Sequence, residues 1–94
     1  MEVTEIVTKT GFECEVDSEA VDDMEFFEKL AEMTESDAKA VINMPKIVRA
    51  LIGEEQKKAL YDHCRNAAGR VPVKAVEDEI GDIMNGLSES KKKS

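Results

Sequence analysis

Apolar and polar residues alternate near the start of the chain, as is typical of a β-strand with one buried face. Residues 12–16 alternate strictly, with phenylalanine, cysteine and valine on one face and two glutamates on the other. Residues 3–8 are rich in β-branched types, and a short loop containing glycine separates the two stretches. This pattern predicts a β-hairpin. Because a lone hairpin is marginally stable in water, we expect its apolar face to pack on helices.

The first helix is predicted directly after the hairpin, over about residues 19–33. Its helical pattern is strongest over residues 23–33. Asp17 or Ser18 can cap its start, and Asp22 with Glu25 has the spacing of a capping box before an apolar run. On a helical wheel, Phe27 and Leu30 fall at the centre of the apolar arc. Three further apolar residues fall at its edges, where core gives way to surface: Met24, Phe26 and Met33.

A second apolar stripe keeps the spacing of one helix face on both sides of Pro45. Its members are Val41, Met44, Ile47, Val48, Leu51 and Ile52. A proline inside a helix removes a hydrogen bond and costs about 3 kcal/mol. Two interpretations are therefore open: a helix over residues 37–52 with a kink, or a short turn over 37–42 and a helix that starts near Asn43. The capping preference of asparagine slightly favours the second.

Glycines and a proline mark the ends of the remaining helices. Gly53 is predicted to end the second helix, since glycine adopts positive φ without steric cost. A third helix is expected over residues 54–67, and a fourth from Pro72, which suits a first helical position. Residues 88–94 bury nothing and are predicted to be disordered. We therefore predict one mainly α domain over residues 1–87, with the hairpin packed on a compact bundle of about four helices.

The charge of the chain is strongly uneven. The net charge is −8, which divides into −10 for residues 1–45 (13 acidic, 3 basic) and +2 for residues 46–94 (8 acidic, 10 basic). An acidic front half disfavours phosphate binding, and the scarcity of aromatic residues argues against stacking on bases. We expect no nucleic-acid partner. The acidic half also leaves open an alternative function, an acidic protein-binding inhibitor or DNA mimic.

The residues that could carry catalysis or bind a metal do not form a convincing site in the sequence. His63 and Cys64 are adjacent on a predicted helix, so their side chains point about 100° apart and do not converge. The other cysteine, Cys14, is 50 positions away. A disulfide between the two cysteines stays open, but the acidic N-terminus resembles no signal peptide, which favours a reducing cytoplasm. We expect no enzymatic activity, no cofactor, no metal and no membrane span.

Four stretches, in their order and spacing, resemble a known family. They are Gly-Phe-Glu-Cys-Glu-Val-Asp from residue 11, Asp-Asp-Met-Glu-Phe-Phe-Glu-Lys-Leu-Ala-Glu-Met from 22, Leu-Ile-Gly-Glu-Glu-Gln-Lys-Lys-Ala-Leu-Tyr-Asp-His from 51, and Gly-Arg-Val-Pro-Val-Lys-Ala-Val-Glu-Asp-Glu-Ile from 69. Over about residues 8–84 the chain resembles the small tail assembly chaperones of long-tailed phages and prophages of Gram-positive bacteria.

The resemblance implies a non-enzymatic role in the host bacterial cytoplasm. Such chaperones bind the long helical tape measure protein, help to recruit tail tube subunits, and are typically absent from the finished particle. As the surface that would bind this partner, we predict an exposed apolar patch formed by Phe26, Met33 and Met44. The oligomeric state is open, because the apolar stripes could be buried within a monomer or in a homo-oligomer such as a dimer or ring.

Overall fold

The computed structural model describes the backbone of residues 3–92 and the side chains of residues 3–19 and 21–88. Two strands, β1 (Val3–Val7) and β2 (Glu13–Asp17), are followed by a 3₁₀ turn at Ser18–Val21. Three α-helices complete this part of the chain: α1 (Met24–Met33), α2 (Asp37–Cys64) and α3 (Val73–Lys92). The predicted class is confirmed: a mainly helical fold with an N-terminal β-hairpin.

The hairpin forms as the alternating pattern predicts and packs on α3. The strands are antiparallel, with Ile6 paired to Cys14. The predicted inner residues of β2 are buried, together with Ile6 on β1. A Cβ atom at Gly86 would lie 3.1 Å from a methyl carbon of Ile6, so this glycine lets β1 approach α3 closely.

One side chain covers the outer edge of β2. The Glu15 N–H donates a 2.8 Å hydrogen bond to the Gln56 side-chain oxygen, and the Gln56 amide nitrogen donates a 2.8 Å bond to the Glu15 carbonyl. Gln56 therefore makes the two bonds that a further strand would make. This pairing satisfies backbone groups that would otherwise be open to edge-to-edge association.

The start of α1 is capped nearly as expected, but its buried face differs from the prediction. Asp17 caps the 3₁₀ turn, and Asp23 rather than Asp22 caps α1. Phe26 is buried at 2% exposure, whereas Phe27 is 49% exposed. The wheel placed Phe27 at the centre of the apolar arc, and this is wrong. The buried face instead follows residues 26, 30 and 33, at the i, i+4 and i+7 spacing of a helix face.

The predicted break near Asn43 is also wrong, because α2 continues through Pro45. Ser36 caps the helix, with its hydroxyl accepting a 3.1 Å hydrogen bond from the Lys39 N–H. Asn43 is buried, and its side-chain amide donates a 2.9 Å hydrogen bond to the Glu32 carboxylate. Its polar group therefore ties α2 to α1 and does not cap a new helix.

Gly53 interrupts α2, as the sequence predicts. Its φ of 82° and ψ of 167° lie outside the helical region, and helical backbone resumes immediately after it. The described chain has three helices where about four were expected, because the second and third predicted helices form one element that bends at this residue. The second part ends at Cys64, three residues before the predicted end, where Arg65 turns to extended backbone.

The last helix carries the expected stripe and runs further than predicted. Val76 donates its N–H to the Pro72 carbonyl at 3.3 Å, so Pro72 immediately precedes α3. The buried apolar residues of α3 are Val76, Ile80, Ile83 and Leu87. Residues 88–92 of the predicted disordered tail are helical, and residues 93–94 lie outside the described residues. Within the described part of the chain, no helix has both the length and the apolar character to cross a membrane.

Candidate functional site

An open groove with an almost entirely apolar lining lies where α2 meets the start of α3. We call it the apolar groove, and its lining residues are Val41, Met44, Pro45, Tyr61, Val71, Val73 and Val76. The depression beside the hairpin has a different character, because Glu5, Glu13 and Glu15 are among the residues that line it. The apolar groove is therefore suited to apolar side chains of a partner.

The bend at Gly53 makes this groove possible. Val41 and Pro45 lie one helical turn apart in the first part of α2, whereas Tyr61 lies in the second part, beyond the bend. A straight helix would carry these side chains about 24–30 Å apart along its axis, at 1.5 Å per residue. Because the helix changes direction at Gly53, both parts line one groove.

A cluster of charges lies at the wall of the groove that Tyr61 forms. The Glu54 carboxylate lies 3.2 Å from the Arg49 Nε atom and 3.5 Å from the Lys57 Nζ atom. Lys57 in turn lies over the Tyr61 ring, with Nζ 5.7 Å from the ring centroid. Burial and the nearby Glu54 carboxylate raise the pKa of the Tyr61 hydroxyl, so it is protonated at neutral pH.

The three predicted binding residues are not an exposed patch. Phe26 is buried in the core, and Met33 is partly buried against it. Met44 is 4% exposed but lines the apolar groove, so it forms part of the groove floor. The expectation that these residues are exposed is wrong for Phe26 and Met44, because α1 and α2 bury them against the core. Their role in binding stays a prediction.

The exposed apolar side chains are mostly others, and of these the helical wheel had placed only Met24 at the edge of a stripe. They include Met24 and Phe27 on α1, Val41 and Ile42 on α2, and Val73 on α3. Val41 and Val73 are 50% and 45% exposed and both line the apolar groove. Val41 and Val73 belong to stripes that the pattern assigned to the core, and only the arrangement of the helices shows where those stripes reach the surface.

A second polar feature, which the sequence pattern did not predict, is a buried carboxylate on α3. Glu79 is 2% exposed, and its Oε1 atom accepts hydrogen bonds from the Thr8 hydroxyl at 2.8 Å and the Thr10 hydroxyl at 2.9 Å. Thr8 is also buried, and its oxygen accepts a 3.2 Å bond from the Phe12 N–H. A signal was present: position 79 lies three residues after Val76, on the buried stripe of α3.

His63 borders this cluster. Its Nε2 atom lies 2.8 Å from the Thr10 hydroxyl oxygen and 3.9 Å from Glu79 Oε1. Since the Thr10 proton is donated to Glu79, a protonated Nε2 can donate to the Thr10 oxygen. The His63 ring also packs on Phe12, with centroids 5.4 Å apart. These contacts fix the hairpin loop against the end of α2 and the middle of α3.

The two cysteines are free thiols next to this cluster. Burial and the negative charge of Glu79 raise the pKa of Cys14 to about 11, and the same two causes raise the pKa of Cys64. Both thiols are therefore protonated at neutral pH and are poor nucleophiles. Among the residues that the structure describes, no group of three His, Cys, Asp or Glu side chains is placed to hold a metal ion.

The chain was compared with protein families, curated proteins and solved structures. No family model, no curated protein and no solved structure matches it.

Proposed function

We propose that this chain is a non-enzymatic assembly chaperone of the phage tail type, which binds a helical segment of the tape measure protein in the apolar groove. The single observation that supports a binding role is the groove itself, because it presents aliphatic side chains and a tyrosine to solvent. Grooves of this kind receive the apolar face of an amphipathic helix. The link to phage tails rests on the resemblance of the sequence.

In this proposal the chaperone acts in the host bacterial cytoplasm and is absent from the mature virion. By covering apolar segments of the tape measure protein, it keeps them from aggregating until tail tube subunits assemble around them. The rest of the described fold serves as a scaffold: the bend at Gly53 and the cluster around Glu79 hold the groove walls and the hairpin in place.

Co-purification tests this function. The chain is co-expressed with the tape measure protein of the same phage or prophage and captured by an affinity tag. We expect Val41→Asp and Val73→Asp to reduce the captured tape measure protein at least about fivefold, because a carboxylate in the groove would be desolvated by the partner. The matched control is Val7→Asp, since Val7 is also an exposed valine but lies on β1.

The proposal fails if the tape measure protein does not co-purify with the unsubstituted chain, or if the groove variants capture as much as the Val7→Asp control. Circular dichroism of each variant establishes that the fold is retained. A tail tube gene upstream and a long tape measure gene downstream of the coding sequence would support the assignment to a phage tail.

A further inference from the structure

We propose that the helix received by the apolar groove carries carboxylates beside its apolar stripe, and that the wall formed by Tyr61 binds one of them. This inference rests on the proposed function, which requires only that the groove binds a helix. It adds the charge of the partner, and three features of the wall support it.

The first feature is an excess of positive charge. Arg49 and Lys57 share the single carboxylate of Glu54. Within the part of the chain whose side chains are described, neither cation is within ion-pair distance of any other carboxylate. Within ion-pair distance this wall therefore has two cations and one anion, and a carboxylate from a partner would complete a cluster of two cations and two anions.

The second feature is the position of that charge relative to the groove. Lys57 Nζ lies 5.7 Å from the centroid of the Tyr61 ring, and Tyr61 lines the groove. The side chain of Lys57 is only 13% exposed, so it lies packed along this wall. A helix seated in the groove would exclude water from this wall, which would strengthen the attraction between its carboxylate and this cation.

The third feature is a free hydrogen-bond donor. No other described residue makes a hydrogen bond with the Tyr61 hydroxyl, and the residue is only partly buried. This hydroxyl can donate to a carboxylate oxygen of the partner. Lysines on the partner's flanks would meet Arg49 and Lys57 and be repelled. Carboxylates therefore suit this wall better than amides or amines.

Synthetic peptides test the inference directly. Three fluorescent helical peptides share one leucine stripe at i, i+3, i+4 and i+7 and differ only in the flanking residues, which are glutamate, glutamine or lysine. Fluorescence anisotropy at about 150 mM salt, which screens charges more than about 8 Å from the peptide, measures their binding to the full chain. We expect the glutamate peptide to bind about three- to tenfold more tightly than the glutamine peptide, and the lysine peptide to bind most weakly.

Variants locate the effect. In the double variant Arg49→Gln, Lys57→Gln the preference for glutamate should disappear, and Tyr61→Phe should reduce it. The control Lys9→Gln removes one positive charge from the hairpin loop and should leave the preference unchanged. If the double variant does not fold, the salt series on the unsubstituted chain decides, because the ratio of the two affinities must fall towards one as ionic strength rises.

Three results would overturn the inference, and the first is distinguishable from the other two. Equal binding of the glutamate and glutamine peptides, with loss of both in Val41→Asp, would show a groove that binds apolar helices without regard to charge, and the proposed function would stand. Peptide binding that is insensitive to Val41→Asp, or no binding of any peptide, would overturn the inference and count against the groove itself.

Discussion

The Thr8 hydroxyl donates a 2.8 Å hydrogen bond to the Oε1 atom of Glu79, a residue 71 positions later in the chain. This bond joins the loop between β1 and β2 to the middle of α3. Thr10 donates to the same oxygen, and His63 lies beside it. Burying a carboxylate is costly unless it is hydrogen-bonded. Glu79 is 2% exposed, and the hairpin loop supplies its hydrogen-bond donors.

Glu79→Ala should therefore lower the free energy of unfolding by about 2–3 kcal/mol, because it leaves the buried Thr8 hydroxyl without its acceptor. Urea denaturation followed by circular dichroism measures the change. The control is Glu77→Ala on the exposed side of the same helix, which should change stability by less than about 0.5 kcal/mol. Equal unfolding midpoints for the two variants would contradict the structural role of Glu79.

A second prediction concerns the bend in α2. Gly53→Ala should destabilise the fold by about 1–3 kcal/mol, because a φ of 82° with a ψ of 167° is essentially restricted to glycine. Gly81→Ala is the matched control: Gly81 is helical and an added Cβ there would have no atom within 4 Å. It should stabilise the protein by about 0.5–1 kcal/mol. Thermal unfolding of both variants gives the comparison.

The two glycine variants should therefore shift the melting temperature in opposite directions. A neutral or stabilising Gly53→Ala would mean that α2 is straight at this point. Tyr61 would then no longer lie beside Val41, and the apolar groove would not form as described.

A third prediction concerns alkaline pH. Burial and the Glu79 charge raise the pKa of Cys14 from its usual value of 9.0 to about 11. Above pH 9 the unfolded chain releases the thiol proton while the folded chain retains it. The stabilisation linked to Cys14 is thus fully present below about pH 9 and is lost as pH rises towards 11. The loss amounts to about 2–3 kcal/mol over that interval.

Urea denaturation at pH 8, 9, 10 and 11 measures this dependence. Cys14→Ala provides the control, since it removes the titrating group: its stability should fall by about 2–3 kcal/mol less between pH 8 and pH 11 than that of the unsubstituted chain. Parallel pH profiles for the two proteins would show that Cys14 ionises as easily in the folded chain as in the unfolded one.

Much of the fold could be predicted from local pattern. The hairpin follows from strict alternation in residues 12–16, and the interruption of α2 follows from the preference of Gly53 for positive φ. These features depend on neighbouring residues alone. The continuation of α2 through Pro45 could not be predicted in the same way, because burial of the surrounding stripe offsets the hydrogen bond that proline removes.

The candidate site was harder to predict, because it depends on how the helices are arranged. Phe26 and Phe27 are adjacent and equally apolar, and only the packing of α1 against α2 decides which one is buried. Val41 and Val73 belong to stripes assigned to the core. They nevertheless reach the surface, where the two parts of α2 meet the start of α3. The buried Glu79 was missed because a carboxylate on a helix is usually solvated.

Photo-cross-linking in cells would show directly whether the tape measure protein lies in the apolar groove. A benzoylphenylalanine residue is placed at position 41, 73 or 7 of the chain, which is co-expressed with the tape measure protein and irradiated. We predict cross-links to the tape measure protein from positions 41 and 73, which line the apolar groove, and none from position 7 on β1. Cross-links from position 7 alone, or from none of the three positions, would contradict binding in the groove.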